Sequence, residues 1–200
     1  MPRLLDLFCG RWGWSRAFAA RKWDCLGVDL IASPLPGPNC QLICKDVLEI
    51  TAQDIRRWKI DFIVASSSCQ QFSVWGMPHF HPNPPYPELG IKLFNHTRAI
   101  CEASGIPYLM ENVRSAQRFV GRAQHHCGPF YLWGSGVPPL LNQGISKNMS
   151  QQRDKNGRRR GALEHVSKKE RAGESAKIPP ELANCVASYA ERILETASYF

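Results

Sequence analysis

Five short apolar runs, each stopping at an acid, a glycine or a small polar residue, constrain this chain more than any other feature. They are residues 3–9 (RLLDLFC, closed by Gly10), 25–30 (CLGVDL), 41–44 (QLIC, leading to Lys45-Asp46), 60–65 (IDFIVA) and 106–113 (IPYLMENV). Residues 13–21, 52–58 and 91–104 lie between them with helix-compatible spacing, the last closed by Gly105. A strand, a glycine turn, a helix and another strand, repeated, predict a parallel sheet with crossover helices. The expected architecture is an open α/β sheet. Ligands of such sheets bind beyond the carboxyl ends of the strands.

The remaining regions read differently. Residues 76–90 (GMPHFHPNPPYPELG) are too rich in proline for regular structure and predict a long loop. Residues 178–197 (IPPELANCVASYAERILETA) predict a helix opened by a proline pair, with apolar positions at 182, 183, 186, 190, 193 and 194. Residues 142–177 are polar and basic. Within 153–177, nine Lys or Arg face four Asp or Glu, so +5 of the chain's net +8 sits there. Such a segment is either a solvated loop or an arm that contacts phosphates.

Composition narrows the class further. At 200 residues, 44% hydrophobic and 21% charged, the chain has enough apolar content for one globular domain, with or without a small appendage. No run approaches the roughly 18 apolar residues of a membrane span. The N-terminal apolar patch is too short, and too soon followed by charge, for a secretory signal. The eight cysteines (9, 25, 40, 44, 69, 101, 127 and 185) form no C-x2-C pair and read as reduced, mostly buried thiols. A zinc site drawn from Cys40, Cys44 and the His125-His126-Cys127 run is the alternative, although its spacing matches no common pattern.

Chemistry-bearing residues concentrate where the predicted strands end. Residues 6–13 (DLFCGRWG) place glycines in a turn leading into a helix, where backbone and helix N-terminus can receive a ligand. Asp29 ends the second run about twenty residues later, where a carboxylate can accept from ribose hydroxyls. Asp46 follows the third, so Asp6, Asp29 and Asp46 can converge on one adenosine-like ligand. The fourth run ends in Ser66-Ser-Ser-Cys-Gln-Gln-Phe-Ser73, which puts Cys69 on a turn where a nucleophile is rigid yet reachable. The fifth ends in Glu111-Asn112-Val113, a carboxylate able to exchange a proton with a bound substrate.

Together, DLFCG, VDL, KDV, SCQQFS and MENV resemble, in order and spacing, the motifs of the C5-cytosine methyltransferases. IPPELA is similar to that family's last motif. The resemblance covers roughly 1–130 and 178–197 and is nearest to the small phage and prophage members. It implies a Rossmann-like open sheet of the S-adenosylmethionine-dependent methyltransferase type with a reduced target-recognition region. Residues 1–141 would be the catalytic core, 142–177 a basic DNA-contacting region, and 178–200 a helix returning to the core.

By the same resemblance, S-adenosylmethionine would meet Asp6, Phe8, Gly10, Arg11, Trp12, Asp29, Asp46 and Asn184. Cys69 would match the nucleophile that adds to C6 of cytosine in a flipped base, and Glu111 the acid at N3. Ser68, Gln70, Phe72 and Ser73 would surround the base together with Asn112 and Arg114. Arg153, or Arg158 and Arg160, would stand in for the family's Gln-x-Arg-x-Arg segment. The implied partner is DNA, with no metal and no membrane, and the implied setting is a monomer in the cytoplasm of a bacterium or phage-infected cell.

Two departures open alternatives. Ser67 and Ser68 stand where the family has Pro-Pro, and Arg11 and Trp12 stand where it has small residues beside the donor. Arg11, Ser67 and Ser68 could receive the extra carboxylate of carboxy-S-adenosylmethionine, which would make the product carboxymethylcytosine. A catalytically inert DNA-binding module is the further alternative. Fold alone does not separate DNA from RNA or a nucleotide as substrate.

Overall fold

In a computed structural model, residues 1–139 and 178–197 are described. Seven strands form one sheet: β1 (Arg3–Leu7), β2 (Asp24–Asp29), β3 (Cys40–Cys44), β4 (Phe62–Ser66), β5 (Tyr108–Asn112), β6 (His125–Cys127) and β7 (Phe130–Trp133). Their order is β3-β2-β1-β4-β5-β7-β6. The first five are mutually parallel, whereas β7 runs antiparallel to β5 and to β6. This is the open α/β sheet that the residue pattern and the methyltransferase resemblance both predict. Its chain order reverses between β1 and β4, and the crevice at such a switch point is where these sheets take ligands.

The apolar runs are unbroken because both faces of the sheet are covered. Leu4, Phe62, Val64 and Leu109 point to one side, where α1 (Ser15–Ala20) and α6 (Pro180–Ala197) supply Phe18, Leu182, Val186 and Ala190. Leu5, Leu7, Ile63 and Met110 point to the other, where α2 (Ala52–Arg57) and α4 (Glu88–Ser104) supply Ile55 and Phe94. Each of these side chains larger than alanine contributes about 1.5–3 kcal/mol by leaving water. An Arg21–Glu191 ion pair at 2.8 Å also joins α1 to α6.

Local signals explain the ends of the helices. Thr51 and Asp54 form a reciprocal capping box on α2. Gly105, in the left-handed region at φ 76°, stops α4. α4 starts at Glu88, three residues before the predicted 91, because Pro87 serves as its N-cap and the missing proline N–H costs nothing there. The β6–β7 hairpin was not predicted; strands of three and four residues around Gly128-Pro129 are too short to show a period.

The zinc alternative fails on topology. β3 carries Cys40 and Cys44 at one edge of the sheet, and β6 carries His125–Cys127 at the opposite edge. Among the described residues, no group of three His, Cys, Asp or Glu is placed to hold a metal. All eight cysteines are free thiols, and five of them are buried. No described helix is long and apolar enough to cross a membrane. The basic segment and with it Arg153, Arg158 and Arg160 lie outside the described residues.

Candidate active site

The carboxyl ends of β1, β2 and β3 form one half of the candidate site. Phe8 and Gly10 both adopt left-handed backbone, at φ 60° and 47°. The Phe8 and Cys9 N–H groups donate to the Val28 carbonyl at 2.8 and 3.2 Å, which folds the turn against β2. Asp29 braces it, accepting from the Gly10 N–H at 2.9 Å and the Ile31 N–H at 3.1 Å. A Cβ on Gly10 would meet only the Phe8 carbonyl oxygen, 3.8 Å away, so the exposed backbone there is open to a ligand.

Several residues expected at the donor are engaged within the protein. Asp6 is buried and accepts from the Ser15 hydroxyl at 2.6 Å and its N–H at 3.3 Å, at the start of α1. Burial, opposed by Ser15 and reinforced by nearby Asp29, pushes its carboxyl up to about 7. Trp12 is buried at φ 62°, with its ring so close over Gly27 that a Cβ there would stand 2.5 Å from it. Its indole N–H donates to Ser33 at 2.9 Å, holding the segment after β2 onto the glycine turn. Asp46 caps the 3-10 turn at Val47–Glu49, accepting from the Leu48 N–H at 2.9 Å. Arg11 is exposed on the turn. Asn184, exposed on α6, donates to the Pro180 carbonyl.

The ends of β4 and β5 form the other half. Cys69 is half-buried and precedes α3 (Gln70–Ser73); the Ser73 hydroxyl bonds back to the Cys69 carbonyl at 2.9 Å. Burial raises the Cys69 thiol above its ordinary value, Ser73 opposes this, and the Glu111 carboxylate adds to it. The two groups therefore share one electrostatic environment. Burial likewise pushes Glu111 up to about 7, with the Ser66 hydroxyl opposing. A neighbouring thiol and carboxyl of this kind can supply a nucleophile and a proton from adjacent strand ends.

Asn112 fixes the Cys69 loop rather than facing outward. Fully buried, its amide donates to the Ser67 carbonyl at 3.0 Å and the Ser67 hydroxyl at 3.1 Å. Ser67 is thereby buried and engaged, while Ser68 is exposed. Phe72 is also in the core, stacked on Phe119, with its carbonyl bonded by Ser115. Gln70 and Arg114 are exposed near the site's rim. Around Phe119, on α5 (Gln117–Val120), gather Trp75 and Tyr86, with the Arg118 guanidinium over Trp75.

Sequence reasoning did not single out Ser66 or Trp14. Ser66 sits in register with Glu111 across β4 and β5, and the Trp14 indole N–H donates to its hydroxyl at 2.9 Å. The apolar runs ending at 65 and 113 carry the signal for that pairing, but only once their register is known.

No family model matches the chain, and no curated protein does. Among solved structures, a Dnmt2 variant from Spodoptera frugiperda aligns at 22% identity and TM-score 0.41, over 59% of this chain and 37% of its own. The Dnmt2 methyltransferase of S. pombe aligns at 17% and 0.42, over 60% and 37%. A candidate NADH-flavin reductase from Streptococcus pneumoniae aligns at 16% and 0.29, over 48% and 40%. The aligned part thus spans less than two fifths of the Dnmt2 chains.

Proposed function

We propose that the protein transfers the methyl group of S-adenosylmethionine to C5 of cytosine in DNA. The observation that carries this reading is the placement of Cys69 and Glu111 in mutual electrostatic reach at adjoining strand ends, beside the switch point of the sheet.

The glycine turn suits the donor. The open backbone at Gly10 admits close approach, and Asp29 keeps lone pairs for ribose hydroxyls beyond the two N–H groups it already accepts. Phe8, Gly10, Asp29 and Asp46 would hold S-adenosylmethionine, which supplies an electrophilic methyl on a sulfonium. Asp6 and Trp12 act one layer behind, by fixing α1 and the segment after β2.

C5 of cytosine is a poor nucleophile until a group adds at C6. The Cys69 thiolate forms that bond while Glu111 gives a proton to N3, so the ring gains enamine character at C5. C5 would then take the methyl group as the S–CH3 bond breaks and the donor leaves as the neutral thioether; loss of the C5 proton, expulsion of the thiolate and return of the N3 proton to Glu111 restore the ring. One protonation state of Glu111 serves both ends of this step. Protonated, it can donate to N3, and it no longer opposes ionisation of Cys69.

In a duplex the cytosine must leave the stack to reach such a pocket. Residues 66–87 and 113–126 fit a polyanion: they hold Arg114, Arg118 and Arg122, no Asp or Glu, and the aromatic cluster around Phe119. Residues 142–177 add the net positive charge noted above and are assigned to DNA contact by the same reasoning.

Nucleoside mass spectrometry tests the proposal. DNA incubated with the protein and S-adenosylmethionine should yield 5-methyldeoxycytidine with wild type and none with Cys69→Ala. A methyl group on any other base, or on cytosine with both proteins, would remove the assignment.

A further inference from the structure

Glu111 has a support that the resemblance does not supply. Ser66 and Glu111 are register partners on parallel β4 and β5, so their side chains leave the sheet on one side. The Ser66 hydroxyl acts on the Glu111 carboxyl, and Ser66 itself receives the Trp14 indole N–H at 2.9 Å. An indole nitrogen only donates, and a serine hydroxyl has one proton to give. With Trp14 occupying one acceptor position of Ser66, the serine proton is directed elsewhere, and Glu111 is the acceptor beside it.

Trp14 is buried and belongs to the core cluster under α1 and α6, so its N–H is a fixed point rather than a mobile one. The register partner of Glu111 on β7 is Leu132, which is apolar, and the titratable group coupled to it from the loop before α3 is the Cys69 thiol.

We infer that Trp14 and Ser66 form a positioning relay for Glu111, in which the hydroxyl holds one carboxyl oxygen as acceptor and leaves the other to carry the proton toward the base. The inference rests on the methyltransferase reading for its purpose, but the relay itself is a property of the free protein. Ser66 is a positioning residue because it acts through Glu111, its register partner. Its position, three residues before the nucleophile, links the acid of the reaction to the loop that bears the thiol. Trp14 extends that link to the start of α1, next to the glycine turn that would bind the donor.

The relay favours the ionised carboxyl, so removing it should raise the pH at which Glu111 titrates. The test is a carbon-detected titration of Glu111 in protein labelled at glutamate side-chain carbons, assigned with Glu111→Gln and recorded without DNA or donor. Ser66→Ala should move the midpoint upward by about one pH unit, Trp14→Phe by less, and Ser66→Thr should restore it. A midpoint that stays in place in Ser66→Ala, or moves downward, overturns the relay.

The methyl-transfer pH profile provides the second readout. The limb set by Glu111 should shift upward in Ser66→Ala by the same interval and return in Ser66→Thr. If wild type transfers methyl while Ser66→Ala shares its profile and titration, the relay fails and the functional reading stands. If the titration shifts but wild type transfers no methyl, the relay stands and the functional reading fails.

Discussion

The two halves of the candidate site are built in opposite ways. On the side of β1, β2 and β3, side chains are consumed in shaping backbone: Asp6 caps α1, Asp29 braces Gly10, Asp46 caps a 3-10 turn, and Trp12 seals Gly27. On the side of β4 and β5, backbone is consumed in presenting side chains: Asn112 pins the Ser67 carbonyl in the loop that holds Cys69 within electrostatic reach of Glu111. The first half is a moulded surface that leaves the Gly10 backbone open. The second is a pair of titrating groups whose value depends on their separation. Substitution should therefore affect binding on one side and chemistry on the other.

The strongest way to break that contrast is at the nucleophile. Cys69→Ala should lower methyl transfer by roughly 10³-fold or more, because covalent catalysis has no partial substitute, while donor affinity measured by calorimetry stays at the wild-type value. A parallel loss of donor affinity would mean that the two halves are not separable.

Glu111→Gln should reduce transfer by about 10²- to 10³-fold, the range for loss of a general acid. It should also speed alkylation of Cys69, followed by peptide-resolved mass spectrometry, because a negative charge beside the thiol is gone. Wild-type Glu111 ionises near pH 7, so that advantage should be absent at pH 6 and grow above 7. An advantage independent of pH would separate the two groups electrostatically.

The buried acids make a prediction about stability. Asp6 and Glu111 both titrate near 7 in the folded chain, well above their ordinary range near 4. The folded state thus binds more protons than the unfolded state between about pH 4 and 7, and stability falls as pH rises through that window. The loss is on the order of 4 kcal/mol for the Asp6 shift and about 3 kcal/mol for that of Glu111. Urea midpoints of Asp6→Asn should flatten the decline, since an amide still accepts from Ser15 but cannot ionise. An undiminished slope would assign the whole effect to Glu111.

Asn112→Ala removes two bonds to Ser67 and leaves buried polar groups without partners. It should cost about 1–3 kcal/mol in urea unfolding and reduce transfer more than donor binding. Asp29→Ala should be milder and reversed in kind: donor binding weakened about tenfold, with the alkylation rate of Cys69 unchanged.

Much of the fold was legible because its strands are buried on both faces and appear as apolar runs with polar ends. The runs at 3–9, 25–30, 41–44, 60–65 and 106–113 became β1 to β5, each within a few residues. The hairpin at 125–133 was illegible because its strands are too short to carry a pattern. For the site, Cys69 and Glu111 could be named from their motifs, but the tasks of their neighbours could not. Asn112, Phe72 and Trp12 were expected to face a ligand, and the structure places all three inside. Whether a polar or aromatic residue at a strand end turns outward depends on strand register and loop closure, which a linear pattern does not encode. Ser66 gives the converse case, an unremarkable serine that matters only through its partner on the next strand.

The return of the chain at residue 178 has a practical consequence. Ile178 is buried and lies so near the glycine turn that a Cβ on Gly13 would stand 3.2 Å from the Ile178 Cβ. At the other end, residues 134–138 are held against β5 by the Gly136 N–H bond to the Tyr108 carbonyl. The described residues on both sides of 140–177 are therefore anchored on the core. If residues 142–177 contact DNA as proposed, their length and charge can be redesigned as a cassette for a different target while the two anchors are kept intact.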